Sequence, residues 1–175
     1  MKEVQKYLGK FAKDVIKDSR TQLNNSSRRD TNNLYNSLDF ELDVHKNSFS
    51  LSFLMDQYGA FVDRGVKGKS SSAKAPDSPF QFGTGSATGG RPLRDIMADY
   101  AKRKGFQWND KKTGRFMSHK SMGFLMAKSI YHKGIAPSLF FTKPFEAAFK
   151  ELPDELVKKF GLGVEDLIKH TLKTK

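Results

Sequence analysis

The chain has no cysteine, a single tryptophan, six prolines and no long apolar run among its 175 residues. The absence of cysteine excludes disulfide bonds and thiolate metal sites, and it is typical of proteins made in a reducing cytosol. A membrane-spanning helix needs roughly 20 apolar residues, and the N-terminus MKEVQKY lacks the apolar centre of a signal peptide. We therefore expect a soluble protein that is made in the cytoplasm and has no membrane partner.

A complete phosphate-binding loop is also missing. Gly68, Lys69 and Ser70 match the end of such a loop, in which glycine-rich backbone wraps phosphates and a lysine neutralises them. The loop needs another glycine five residues earlier, where this chain has Asp63, whose carboxylate would repel phosphate. The Ser-Ser-Ala-Lys-Ala-Pro that follows does not start a helix. We predict that these residues begin a mobile connecting arm.

The polar residues form no recognisable catalytic or metal-binding motif. The four histidines lie far apart, and none belongs to a His-Glu-x-x-His pattern. The carboxylates of Asp39, Glu41 and Asp43 recur with a period of two, which favours the polar face of a strand over a metal site. No hydrolase nucleophile motif is present. We predict that the protein is not an enzyme and has no catalytic residue, cofactor or metal.

Positive charge is concentrated in one part of the chain. The chain carries 31 Lys and Arg against 19 Asp and Glu, and 14 of these cations against 4 of these anions lie in residues 67–134. Such an excess indicates a polyanionic partner or an acidic protein surface, although a solvated lysine-rich surface is the plain alternative. Lys102 to Arg115 also interleave cations with Phe106 and Trp108, as phosphate neutralisation and base stacking require.

The clearest local pattern is a β-hairpin. Apolar residues alternate with polar ones over residues 38–44 and again over 49–53. A turn at Lys46–Asn47 pairs Val44 with Phe49, Leu42 with Leu51 and Phe40 with Phe53, so that all six side chains lie on one face. We predict that this face is core and that the opposite, acidic face is exposed to water.

The remaining periodicities predict helices. We expect helices over about 2–24 and 92–104, a short helical lead at 31–38, a helix between Ser118 and Gly134, and a last helix from near Pro144. A third strand is predicted near 138–142. Residues 67–90, rich in serine and glycine, are predicted to be a structureless basic arm. The fold class is α+β, with an N-terminal helix and a small antiparallel sheet packed by helices.

We predict one domain for the chain, because its length suits a single core. Its parts are an N-terminal helix (1–30), the hairpin and a turn (34–66), the flexible arm (67–90), helices (91–134) and a C-terminal strand with helices (135–175).

Four ordered segments carry a family resemblance. They are Leu-x-x-Ser-Leu at 34–38, Tyr-Gly-Ala-Phe-Val-Asp-x-Gly at 58–65, Gly-Ile-Ala-Pro at 134–137 and Phe-Thr-Lys-Pro-Phe-Glu at 141–146. Their order and placement resemble the neck or tail-completion family of tailed bacteriophages. Thr142 and Phe145 differ from the aliphatic and small residues usual in that family, and residues 67–118 are longer and more basic than its typical loop.

This resemblance implies a structural virion protein of a bacteriophage, a head-to-tail connector located in the neck or tail and made in the host bacterial cytoplasm. Its partners would be further copies of itself in a twelve- or sixfold homo-oligomeric ring, the portal or adaptor ring, tail proteins and genomic DNA in the channel. A tail terminator, a neck protein of a short-tailed phage and a non-specific nucleic-acid-binding accessory protein remain as alternatives.

Three groups of residues are predicted to serve this function. The fold-defining turn consists of Tyr58, Phe61, Asp63 and Gly65. The interface residues are Phe80, Phe82, Phe140, Phe141 and Pro144. The residues that face a polyanion or DNA are Lys67, Lys69, Lys74, Arg91, Lys111, Lys112 and Arg115.

Overall fold

A computed structural model of the chain describes residues 2–26, 31–45, 48–84, 90–154 and 172–174. The chain divides into two compact units, of which unit 1 comprises residues 1–63 and 138–175 and unit 2 comprises residues 64–137. Unit 2 is therefore an insertion in the sequence of unit 1. The single domain predicted from chain length stays a prediction. Residues near the two ends of the insertion bond to each other. Val66 and Ile135 exchange both backbone hydrogen bonds, at 2.9 and 2.8 Å.

Unit 1 combines helices with a small sheet. Its elements are α1 (Lys2–Asn25), α2 (Asn33–Ser37), β1 (Asp39–Val44), β2 (Phe49–Met55), α3 (Gly59–Arg64), whose last residue opens unit 2, α6 (Thr142–Lys150) and β3 (Leu172–Thr174). Unit 2 contains α4 (Leu93–Arg103) and α5 (His119–Lys133). The predicted α+β class is confirmed. None of the helices in the described residues is long and apolar enough to cross a membrane.

The sheet has the strand order β1-β2-β3. β1 and β2 are antiparallel, and the predicted register is confirmed, with Val44 opposite Phe49, Leu42 opposite Leu51 and Phe40 opposite Phe53. The turn at Lys46–Asn47 lies outside the described residues. The face predicted to be exposed to water is exposed on β1, where the three carboxylates lie. On β2 the same face is covered, because Ser52 and Leu54 are buried.

The third strand does not lie where the sequence predicted it. β3 is Leu172–Thr174 and pairs in parallel with β2. Residues 138–141 instead lead into α6, and Leu139 has a φ of 54°, which no extended strand adopts. The part of the predicted C-terminal helices that falls in residues 155–171 lies outside the described residues.

The core of unit 1 is built around a group of aromatic rings. The fully buried Phe53 makes edge-on ring contacts with Phe11 of α1, with Phe141 and with Phe145 of α6, at centroid distances of 6.2, 5.2 and 5.9 Å. Such arrangements suit the quadrupoles of aromatic rings. α1 contributes an apolar stripe in which Leu8, Phe11, Ala12, Val15 and Ile16 are buried.

Three predicted interface residues belong to this interior. Phe140 and Phe141 are 1% and 0% exposed, and Pro144 is also buried. The prediction that they contact a partner is therefore wrong. Their position at the start of α6 turns them inward, and side chains buried within one protomer offer no surface to another.

Unit 2 is centred on the packing of α4 against α5. The buried residues of both helices are mostly small, namely Ala98 and Ala101 of α4 and Gly123 and Ala127 of α5. The predicted start of α5 at Ser118 is confirmed, because the Ser118 hydroxyl caps the helix by accepting a hydrogen bond from the backbone N–H of Ser121 at 3.1 Å. Small side chains at the crossing allow the two backbones to approach closely.

Replacing Gly123 by alanine is expected to destabilise the protein by about 1–3 kcal/mol, as overpacking of a filled contact does. An added Cβ would overlap the backbone oxygen of Arg94 and lie 2.6 Å from the backbone nitrogen of Ala98. The matched control is Gly9→Ala in α1, where the nearest atom would be 4.0 Å away in Leu42. That variant should be more stable by about 0.5–1 kcal/mol. Urea unfolding of both variants measures the contrast, and equal effects would contradict this packing.

The segment predicted as a structureless arm has a defined conformation in its described part, residues 67–84 and 90. The backbone N–H of Lys67 donates to the carbonyl of Phe80, and the N–H of Phe82 donates back to the carbonyl of Lys67, at 2.8 and 2.9 Å. The buried Ser78 hydroxyl donates to the carbonyl of Gly65 at 2.8 Å. Composition predicted disorder because it counts apolar side chains, whereas these backbone groups are satisfied by partners within unit 2.

Candidate functional site

Val62 and Asp63 form hydrogen bonds with residues 138–142, which lie far from them in the sequence. We call these residues together the Asp63 joint. Asp63 is 1% exposed. Its Oδ1 accepts the backbone N–H groups of Phe141 and Thr142 at 2.8 and 3.1 Å. Its Oδ2 accepts the Thr142 hydroxyl at 2.5 Å. These donors belong to the first turn of α6, where helical N–H groups have no partner within the helix and a negative charge is favourable.

The backbone of the joint is bonded as well. The N–H of Leu139 donates to the carbonyl of Asp63 at 3.0 Å. The hydroxyl of Ser138 donates to the carbonyl of Val62 at 2.8 Å. Hydrogen bonds therefore connect the segment 58–65 to residues 138–142, where α6 begins. The predicted turn is in fact the short helix α3 followed by Gly65.

Gly65 follows the joint at the first residues of unit 2. It has a φ of 72°, and an added Cβ would lie 2.5 Å from the carbonyl oxygen of Ile135 and 2.7 Å from the nitrogen of Pro137. Both the left-handed backbone and the close approach require glycine here. The motif glycine and the Gly-Ile-Ala-Pro motif thus meet within unit 2.

The two aromatic residues of the predicted turn are less deeply placed. Tyr58 and Phe61 are 41% and 43% exposed. Burial of part of the Tyr58 ring, with the nearby Asp56 carboxylate, raises the pKa of its hydroxyl above the ordinary value. Of the four predicted residues, Asp63 and Gly65 are the buried ones.

Gly68, Lys69 and Ser70 lie at the C-terminal end of α5. The N–H groups of Lys69 and Ser70 donate to the carbonyls of Tyr131 and His132, at 2.8 and 3.2 Å. These carbonyls belong to the last turn of the helix and have no intrahelical partner. The negative end of a helix dipole disfavours an anion. This geometry is opposite to that of a phosphate-binding loop and does not suit the phosphates of a nucleotide.

The seven residues predicted to face a polyanion differ in their local contacts. The Lys69 ammonium lies 5.7 Å from the centroid of the Tyr131 ring, and Lys74 donates to the carbonyl of Gly134 at 3.4 Å. Arg91 forms an exposed ion pair with Asp99 at 2.7 Å, and this pair lowers the pKa of the Asp99 carboxyl. Lys67 is half-buried.

Lys111, Lys112 and Arg115, by contrast, come together on the 108–117 hairpin, a short antiparallel pair within unit 2. The N–H of Asp110 donates to the carbonyl of Arg115 and the N–H of Met117 to that of Trp108, both at 2.8 Å. All three cations are exposed, and none of them forms an ion pair in the part of the chain that the structure describes.

The single acidic residue of the 108–117 hairpin is used by its own turn. The Asp110 carboxylate accepts the N–H groups of Lys112 and Thr113 at 2.8 and 3.0 Å. Hydrogen bonds from Thr113 and then Lys112 hold the pKa of this carboxyl below its ordinary value. The carboxylate therefore organises the turn that presents the cations.

Sequence reasoning missed several exposed apolar side chains. Phe116, beside Arg115, is 72% exposed, and Phe124 and Leu125 of α5 are 54% and 44% exposed. The sequence of α5 did hold a signal for these exposed residues, because its apolar residues lie on all sides of the helix. This pattern is typical of a helix that is covered on more than one face. The predicted interface residues Phe80 and Phe82 are half-buried, and Phe82 packs on Tyr131 at 5.9 Å between ring centroids. Their contact with a partner stays a prediction.

The described residues contain no group of three or more His, Asp or Glu side chains able to hold a metal ion. Comparison with protein-family models gives no match, and comparison with curated proteins and with solved structures gives no significant match either.

Proposed function

We propose that this protein is a structural subunit of a head-to-tail connector in a tailed bacteriophage, one that forms a ring between portal and tail around the DNA channel. The observation that carries the proposal is the Asp63 joint. Two of the four segments that resemble the neck or tail-completion family, 58–65 and 141–146, are bonded through Asp63 and the start of α6. A resemblance spread over separate segments gains weight when buried contacts connect them.

A ring of identical subunits needs two different surfaces on each protomer, because head-to-tail contacts are heterologous. One candidate surface is acidic, since Asp39, Glu41 and Asp43 of β1 are exposed. The other is unit 2, in which 15 Lys and Arg stand against 4 Asp and Glu over residues 64–137. Opposite potentials of this kind orient partners and fix register.

An apolar patch accompanies the basic charge of unit 2. Phe124 and Leu125 lie on the face of α5 turned away from its buried residues, with Lys128 beside them. Large apolar side chains framed by polar residues mark contact sites between proteins. We assign this patch to the neighbouring copy in the ring, whose acidic β1 face complements Lys128.

The proposal is tested by complementation of a phage that lacks this protein. Lysates of the deletion should contain DNA-filled heads without tails, and added purified protein should restore tailed virions in negative-stain images and in plaque titre. Normal virions from the deletion would overturn the proposal.

The subunit contact is tested with the variant Phe124→Asp, Leu125→Asp in the same complementation. It should restore far fewer virions than the wild-type chain, because two charges cannot be buried in place of two apolar side chains per contact without a large cost. The matched control is Ser129→Asp, an exposed position of the same helix. Equal restoration by the double variant and the control would contradict this contact.

The alternative function, a non-specific nucleic-acid-binding accessory protein, is favoured by the 108–117 hairpin. Deletion distinguishes the two, because an accessory protein is not needed to join heads to tails. A tail terminator is distinguished by tails of uncontrolled length in the same images.

A further inference from the structure

The strand pairing of the 108–117 hairpin sorts its side chains onto two faces. Asn109 pairs with Phe116, while the hydrogen bonds on either side pair Trp108 with Met117 and Asp110 with Arg115. Directly paired residues of antiparallel strands share a face, and successive residues alternate between faces. Trp108 and Arg115 therefore share one face as diagonal neighbours, and Phe116 lies on the other.

The Trp108 and Arg115 face combines the two groups that an unpaired nucleotide needs. Trp108 is 39% exposed, so that part of its indole ring is open to a stacking partner. Arg115 is exposed on the same face, and Lys111 and Lys112 are exposed at the turn. A guanidinium binds phosphate through paired N–H groups, and a lysine neutralises it as a point charge.

We propose that the 108–117 hairpin binds single-stranded nucleic acid, with a base stacked on Trp108 and the adjoining phosphates held by Arg115, Lys111 and Lys112. A base presents its face only when it is not stacked within a duplex, so the indole selects a single strand. Sequence preference is not expected, because every base has a π face and phosphate contacts carry no sequence information. An acidic protein surface would satisfy the cations but offers no base to stack on the indole.

The single tryptophan of the chain makes this contact directly observable. Titration of the full-length protein with a 20-nucleotide oligodeoxythymidine should quench the intrinsic fluorescence, since stacking of a base on indole quenches its emission. A fluorescein-labelled copy of the oligonucleotide should report the same affinity by anisotropy. The 20-base-pair duplex should bind more weakly and quench less.

Trp108→Ala should weaken binding to the labelled single strand by roughly 5- to 150-fold, the range that stacking of one base covers. The matched control is Phe116→Ala, which removes an exposed aromatic ring from the opposite face of the same hairpin and should change the affinity less than about 2-fold. Equal losses in the two variants, or a duplex bound as tightly as the single strand, would overturn the proposal.

The phosphate contacts are tested through their salt dependence. The triple variant Lys111→Ala, Lys112→Ala, Arg115→Ala should make the slope of log affinity against log salt shallower by about 2, because three contacts on a single strand are removed. The control removes three exposed lysines of α1, as Lys6→Ala, Lys10→Ala, Lys17→Ala, and should leave the slope nearly unchanged. An equal change of slope in both would show binding by diffuse charge and overturn the site.

This inference stands apart from the connector proposal. A failure of complementation in phage does not alter the binding of an oligonucleotide to purified protein. If the wild-type protein did not bind the oligonucleotide, the proposed binding site would be rejected and the connector proposal would be unaffected.

Discussion

Replacing Asp63 by alanine is expected to lower the stability of unit 1 by about 3–5 kcal/mol. The substitution removes the acceptor of two backbone N–H groups and one hydroxyl. Each buried donor left without a partner costs about 1–3 kcal/mol, and α6 loses the negative charge at its first turn. Thermal unfolding followed by circular dichroism should show a midpoint lower by roughly 10 °C.

Two further variants separate the hydrogen bonds from the charge. In Asp63→Asn the side-chain oxygen still accepts both N–H groups, and the amide can donate to the Thr142 hydroxyl oxygen, so the expected loss is only about 1 kcal/mol. Asp43→Ala removes an exposed carboxylate of β1 and should change stability by less than about 0.5 kcal/mol. If Asp63→Ala were as mild as Asp43→Ala, the joint would not hold the two segments together.

Replacing Phe53 by alanine is expected to cost about 3–5 kcal/mol, as removal of a buried aromatic ring does. Phe53 has no exposed surface, and the rings of Phe11, Phe141 and Phe145 surround it. The cavity would therefore lie between α1, β2 and the start of α6, which cannot all move inward together. Urea unfolding measures the loss.

The size of this loss should follow the volume removed. Phe53→Leu keeps most of the side chain and should cost less than about 1.5 kcal/mol. Phe116→Ala removes a ring that is 72% exposed and serves as the surface control, with a change within about 0.5 kcal/mol. A Phe53→Ala variant no less stable than Phe116→Ala would place Phe53 outside the core.

The hairpin and most helix ends were predictable because their signals are local. A one-residue slip would have placed Leu42 and Phe53 on the wrong face, so the alternation of side chains determined the register. Ser118 and Gly134 bound α5 at its two ends as expected, through a side-chain cap and a positive φ respectively.

The remaining features depend on partners distant in sequence. Phe140 and Phe141 have the same hydrophobicity whether they face a core or another protein, so the sequence could not distinguish the two. Residues 67–84 are bonded to one another and to the end of α5, and no local pattern encodes such contacts. Phe116 and Phe124 are likewise exposed because no other part of unit 2 covers them, and the sequence does not encode this locally.

Thr142 and Phe145, which differ from the residues usual in the family that the sequence resembles, each have a structural role in this fold. Thr142 supplies the hydroxyl bound by Asp63, and Phe145 fills space between Phe11 and Phe53. An aliphatic residue at 142 would leave one Asp63 oxygen with fewer donors. A small residue at 145 would open a cavity, so the departures are consistent with the local packing.

The insertion of unit 2 also has a consequence for the order of events on the ribosome. The aromatic side chains that enclose Phe53 come from both sides of a 74-residue interruption. At typical elongation rates of 5–20 residues per second, about 4–17 s pass between synthesis of the hairpin and synthesis of α6. During that interval the apolar face of the nascent hairpin lacks Phe141 and Phe145, so this is the period in which the growing chain is most vulnerable to aggregation and has most to gain from a chaperone.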